Sequence, residues 1–100
     1  MLLYNVTFGI DKKIEAEWID WIKINYIPAI MKTTLFTDYK FYKVLTHDEE
    51  TSVSYSLQCF AETIEQVVKY LNEFAPAIVE AHRLHFKDQH AAFNTLLDEV

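Results

Sequence analysis

Two segments of the chain alternate strictly between large apolar side chains and small, mostly neutral ones. From Leu2 to Ile10, Tyr4, Val6, Phe8 and Ile10 fall on one side and Leu3, Asn5 and Thr7 on the other. From Ser52 to Ala61, Val53, Tyr55, Leu57 and Cys59 oppose Ser54, Ser56, Gln58 and Phe60. A period of two is the signature of a strand with two unlike faces. Gly9 and Asp11 close the first strand, and Asp11 can cap a helix beginning after it, because its carboxylate accepts orphan backbone donors.

Between and after these strands the period changes. From about Lys12 to about Lys32, Ile14, Trp18, Ile19, Trp21, Ile22, Tyr26 and Ile30 cover half the circumference of a helix. Ile24, Ile27 and Met31 fall outside that arc. Pro28 removes a backbone donor and crowds the preceding turn, which predicts a kink or break near Tyr26. Phe36 to Thr46 reads as a second strand, with Phe36, Tyr42 and Val44 on one face and Tyr39, Phe41 and Leu45 on the other. The polar stretch from His47 to Thr51 has the length of a hairpin connection, with His47 in solvent.

Thr63 followed by Gln66 is a capping box. It opens a helix striped by Ile64, Val67, Val68, Leu71, Phe74 and Ala75. Pro76 suits the first turn of a new helix, so the run should break near Ala75 and continue to about Phe86, carrying Ile78, Val79, His82 and Phe86. Ala91 to Leu97 makes a fourth strand.

The order is β-α-β-β-α-β. That is the ferredoxin-like arrangement: an α+β two-layer sandwich, a four-stranded antiparallel sheet with both helices on one face. At 100 residues, residues 1–100 form a single domain. A hydrophobic share of 51% is enough for a core.

Composition excludes several functions. A single glycine, Gly9, leaves no phosphate-cradling loop. A single cysteine, Cys59, leaves no internal disulfide and no cysteine-built zinc site. Net charge is −6 and Arg83 is the one arginine, which argues against nucleic acid as a partner. The third strand, from Ser54 to Gln58, also lacks the basic residue and glycine of an RNA-recognition motif. No apolar run reaches the ~20 residues of a membrane span. The first ten residues lack a basic leader and a cleavage site, so a cytoplasmic location is expected.

The second face of the sheet says most about assembly. In this fold the first and third strands are central. Their faces away from the helices carry Asn5, Thr7, Ser54, Ser56 and Gln58 beside Leu3 and Phe60. A sheet face left in water should carry lysines and glutamates. Small neutral groups suit packing against a copy of the same face, which satisfies hydroxyls and amides across the contact. The expectation is a homodimer joined sheet to sheet through these five polar residues. The alternative is a monomer with a mildly polar open face.

At these residues the chain resembles a bacterial family, the domain of unknown function numbered 4286. The resemblance runs through Tyr4-Asn5-Val6-Thr7, the Trp18 to Trp21 segment, Ile27-Pro28 and Leu35-Phe36-Thr37-Asp38-Tyr39. It continues through Phe60-Ala61-Glu62, Tyr70-Leu71, Ala75-Pro76-Ala77, His82 and Phe93-Asn94-Thr95-Leu96-Leu97. It implies a ferredoxin-like subunit of the dimeric α/β-barrel kind. That wider group is similar to antibiotic-biosynthesis monooxygenases, muconolactone isomerases and stress-responsive barrel proteins, in which two sheets pack face to face. Ligand cavities in it often lie between sheet and helices. The family has no assigned activity, and fold alone does not fix chemistry.

Three groups of side chains are candidates for a site. His82 sits mid-stripe on the last helix and should point at the sheet near Tyr55 or Tyr4. There it is either an acid, base or ligand group, or a neutral, hydrogen-bonded core histidine. Trp18 and Trp21 either wall an aromatic pocket or fill the core. The polar residues Asn5, Thr7, Ser54, Ser56 and Gln58 either anchor a ligand or pair across a dimer. His82 and His85, three apart, are within reach of a shared metal, but the zinc helix motif needs a four-residue spacing with glutamate between. No metal or cofactor is expected. Cys59 alternates with core residues and should be inert.

The leading functional reading is a small dimeric protein that binds a small, partly apolar or aromatic molecule between helices and sheet. The pocket would be walled by Trp18, Trp21, Tyr55 and His82. One alternative is a cofactor-independent monooxygenase- or isomerase-like enzyme, with catalytic His82 or Tyr55 moving a proton. The other is a structural or regulatory dimer with no ligand.

Overall fold

A computed structural model describes all 100 residues except the side chains of His47 and Asp88; the expectation for His47 therefore lies outside the described residues. The chain runs through β1 (Leu2–Asp11), α1 (Glu15–Trp21), a π-helical turn (Ile22–Tyr26), α2 (Ile27–Met31), β2 (Asp38–Val44), β3 (Ser52–Ala61), α3 (Ile64–Glu73), α4 (Ala75–Phe86) and β4 (His90–Asp98). The sheet order is β2-β3-β1-β4, with every pair antiparallel. This is the ferredoxin-like α+β arrangement that the alternation implies. None of the helices is long and apolar enough to cross a membrane.

The alternation sorts the sheet as read. Tyr4, Val6, Phe8, Ile10, Val53, Tyr55, Leu57 and Cys59 are buried against the helices. β1 and β3 pair in full register, Val6 beside Leu57 and Thr7 beside Ser56, so each face is continuous across the centre. Asp11 accepts from the Lys13 amide at 2.9 Å and opens a short 3₁₀ turn. Both halves of the Thr63–Gln66 capping box form, and the helical run breaks at Phe74, one residue before the expected point.

The helices and the second strand depart from the expected pattern. The first helical run does break near Tyr26, but through a π turn: one residue is added at Ile22–Tyr26, and α2 begins at Ile27 with Pro28 in its first turn. An extra residue rotates the downstream side chains by about 100°. Ile27 is therefore buried although a regular helix would turn it outward, while Ile24 stays 71% exposed. On α3 the inward stripe is Val67, Tyr70 and Phe74; Ile64, Val68 and Leu71 remain exposed. Tyr70 wins that face because its ring meets Tyr4 and Phe36 edge-on, at 5.7 and 5.1 Å. Phe36, read as part of the second strand, precedes β2 and is free of its alternation, so it turns into the core. Leu45 comes after β2 in a 3₁₀ turn and is exposed.

Candidate functional site

The helix layer gathers an aromatic cluster over the middle of β1. Trp18 projects from α1 and His82 from α4, and both are buried. The Trp18 indole Nε1–H donates to His82 Nε2 at 2.9 Å. That bond occupies the Nε2 lone pair and places the proton of the neutral ring on Nδ1. His82 lies over Phe8, at 5.3 Å between ring centres; Phe8 pairs with Tyr55 across the sheet, so of the two expected neighbourhoods it takes that of Tyr55 and not that of Tyr4. Tyr26 and His90 also meet it, at 5.5 and 4.2 Å. Burial, helped by His90 and His85, lowers the His82 pKa to about 4. At neutral pH it is therefore an uncharged core group and a weak base.

Trp21 occupies the rim of the cluster and is half-buried. Its ring stacks on His85 at 5.2 Å and 24°, and stands 5.7 Å from His82. Among the described residues, no group of three or more His, Cys, Asp or Glu side chains is placed to hold a metal ion. Burial pushes the Cys59 thiol up to about 12, which leaves it protonated and unreactive.

Tyr55 joins the cluster from the sheet. Its ring stands 5.2 Å from Trp18 and 5.5 Å from Phe41. Its hydroxyl donates to Glu15 Oε2 at 2.6 Å, and Lys43 Nζ stands 3.2 Å from the same oxygen. The tyrosine bond, then the lysine, lower the Glu15 pKa, while burial and this carboxylate raise that of Tyr55. The proton thus stays on the phenol. Lys43 also reaches Asp48 at 3.7 Å, and Asp48 pairs with Lys12 at 2.7 Å. Hydrophobic patterning passes over this network. Glu15 precedes Trp18 by one helical turn, which is the signal that would have placed it beside Tyr55.

The four expected pocket residues, Trp18, Trp21, Tyr55 and His82, are thus brought together, largely packed on one another. Surface cavities lie at three places. One of about 290 Å³ between α2 and α4 is lined by Trp21. One of about 480 Å³ lies at the ends of β1, β3 and β4, beside Asp11, Ser52 and His90. One of about 260 Å³ lies by Leu3, Phe60 and Leu97. Trp18, Tyr55 and His82 line none of these three.

The opposite sheet face carries the other candidate residues. Asn5, Thr7, Ser54, Ser56 and Gln58 all stand on it, half-buried. Asn5 Nδ2 donates to Thr7 Oγ1 at 2.9 Å, and Ser56 Oγ donates to Asn5 Oδ1 at 2.5 Å. Gln58 Nε2 approaches Ser56 Oγ at 3.5 Å. This ladder is flanked by apolar groups: Leu3 and Phe60 on the central strands, Phe93 and Leu97 on β4, Tyr42 on β2. Phe93 is 63% exposed and Leu97 47%. From Leu3 to Gly9, Ser54 to Phe60 and Ala91 to Leu97 this face holds no charge; Asp38 and Lys40 on β2 are at its margin.

Known structures share this architecture. An ethyl tert-butyl ether D (EthD) family protein from Bacillus halodurans superposes with a TM-score of 0.67 at 8% identity, over the whole of both chains. SnoaB from Streptomyces nogalater, a cofactor-independent oxygenase, gives 0.65 at 10% identity over 98% of this chain and 92% of its own. A de novo designed protein with a ferredoxin fold gives 0.56 at 19% identity, over 100% and 88%. At such identities the likeness shows the fold alone. No curated protein matches the chain. The family described as "Domain of unknown function (DUF4286)" matches it over residues 1–100, and the chain belongs to that family.

Proposed function

We propose that the protein is a homodimer joined through its open sheet face, and that it binds a small, partly apolar molecule in its helix layer. The observation that carries this is the open face, uncharged across β3, β1 and β4, with Asp38 and Lys40 at its β2 margin. A polar ladder bonded within itself, between exposed Phe93 and Leu97, is poorly suited to water and well suited to a second copy. Trp21, at the exposed rim of the aromatic cluster, supplies the surface for a ligand, and Trp18, Tyr55 and His82 pack behind it. A cytoplasmic setting fits the lone buried cysteine.

The geometry favours binding over proton transfer. His82 Nε2 is engaged by Trp18, and the Tyr55 hydroxyl by Glu15. A general base needs a free lone pair and a pKa near the working pH. Native mass spectrometry of untagged protein tests the reading. The expected result is a dimer carrying additional bound mass. A bare dimer would favour a purely structural role, and a monomer at micromolar concentration would refute the assembly.

A further inference from the structure

Pairing helices normally close on each other until side chains interlock. The first helical run and α4 do so where Trp21 and Tyr26 meet His82 and Phe86, but not beyond, towards Ala29 and Ala77. Ala29 faces Ala77 and Ala81 across a groove of about 290 Å³, closed by Trp21, Tyr26 and Ile78. Three alanines stand where leucines would fill the space. The π turn lies on this groove, and Asn25 on its edge returns its amide to the Trp21 carbonyl at 3.3 Å. Besides the Trp21 indole, Asn25 and the phenol of Tyr26 are the only polar side chains in the lining, so water there has few partners. Trp21 is held in place by its stack on His85, so this wall is fixed before anything binds.

We infer that this inter-helix groove, not the space between helices and sheet, is the ligand site, and that it takes a small uncharged aromatic molecule of one or two rings. The inference rests on the binding reading above. Size limits the ligand: sites for drug-sized molecules run from about 300 to 1,000 Å³, so this groove fits something smaller. Charge limits it too. Among the described residues no charged side chain lines the groove, so an ionic ligand would lose its hydration without compensation. The aromatic preference comes from Trp21 and Tyr26, whose rings present faces and edges for stacking.

Indole is a suitable probe, followed through the amide and tryptophan side-chain signals of ¹⁵N-labelled protein. Saturable shifts are expected at the Trp21 indole N–H and at the amides of Ala29 and Ala81. Ala81→Leu, at an exposed position, should fill the groove and weaken binding by roughly tenfold or more while leaving the spectrum folded. Ala77→Leu provides an independent second block. Saturable shifts that centre elsewhere and survive both substitutions would overturn this site but leave the binding reading standing. No saturable shift anywhere would overturn the site and take the binding reading's support with it.

Discussion

His82 and Trp18 form the most consequential pair of side chains in the core. Replacing Trp18 by Phe keeps an aromatic ring but deletes the donor and some volume. It leaves His82 Nε2 buried without its partner. The expected loss is about 2–4 kcal/mol in urea unfolding, combining an unsatisfied acceptor with a partial cavity. A loss below about 0.5 kcal/mol would show that the bond contributes little.

The same histidine sets a pH dependence. His82 titrates at about 4 when folded and near its ordinary 6.5 when unfolded. The unfolded chain therefore takes up a proton first. Stability is full above pH 6.5, falls as pH drops towards 4, and levels below that. The 2.5-unit difference corresponds to at most about 3 kcal/mol. Glu15, whose pKa is lowered, adds its own loss only below its ordinary 4.5, so most of the window belongs to histidine. Unfolding measured at fixed protein concentration from pH 7.5 to 4.5 checks this, and a flat profile would contradict a neutral buried His82.

At the scale of elements, what could be read from sequence was what repeats. The alternation from Tyr4 to Ile10 and from Val53 to Cys59 needs no partner to be seen, and the structure buries those residues. The Thr63–Gln66 capping box is likewise local. Its removal in Thr63→Ala should cost about 1 kcal/mol, seen as a melting shift of roughly 4–8 °C for a domain of this size. No change would mean that packing of Val67 and Tyr70 alone fixes the start of α3.

Other features were hidden because they depend on contacts distant in sequence. The π turn inserts one residue without any local mark beyond Pro28, and so buries Ile27 while Ile24 stays outside. Tyr70 ranks below Leu71 on hydropathy, yet its ring finds Tyr4 and Phe36. The helical stripe puts His82 on the correct face, but its Trp18 partner lies 64 residues away. That Trp18, Trp21, Tyr55 and His82 come together was legible in the sequence; that three of them are packed away from every cavity named above was not. Nothing in a helical stripe shows that Ala29, Ala77 and Ala81 leave a groove.

At the scale of the molecule, one layer buries a complete aromatic core while the centre of the other sheet face is left without charge. A monomer would hold Phe93, Leu97 and Tyr42 in water around a neutral ladder. The proposed sheet-to-sheet dimer would remove that cost, and it would leave the inter-helix groove on the outside of each subunit, open to a ligand. Dimer and groove are therefore compatible but separable: Ala81→Leu should leave the assembly intact.

Sedimentation velocity on the wild-type chain and on Ser56→Lys tests the assembly most directly. Ser56 stands at the centre of the face and bonds to Asn5, so a lysine there puts two like charges into the middle of a symmetric contact. The expected result is a wild-type species of twice the 11.8 kDa chain mass and a folded Ser56→Lys monomer. A wild-type monomer at micromolar concentration, or a dimer indifferent to the lysine, would contradict the sheet-to-sheet assembly.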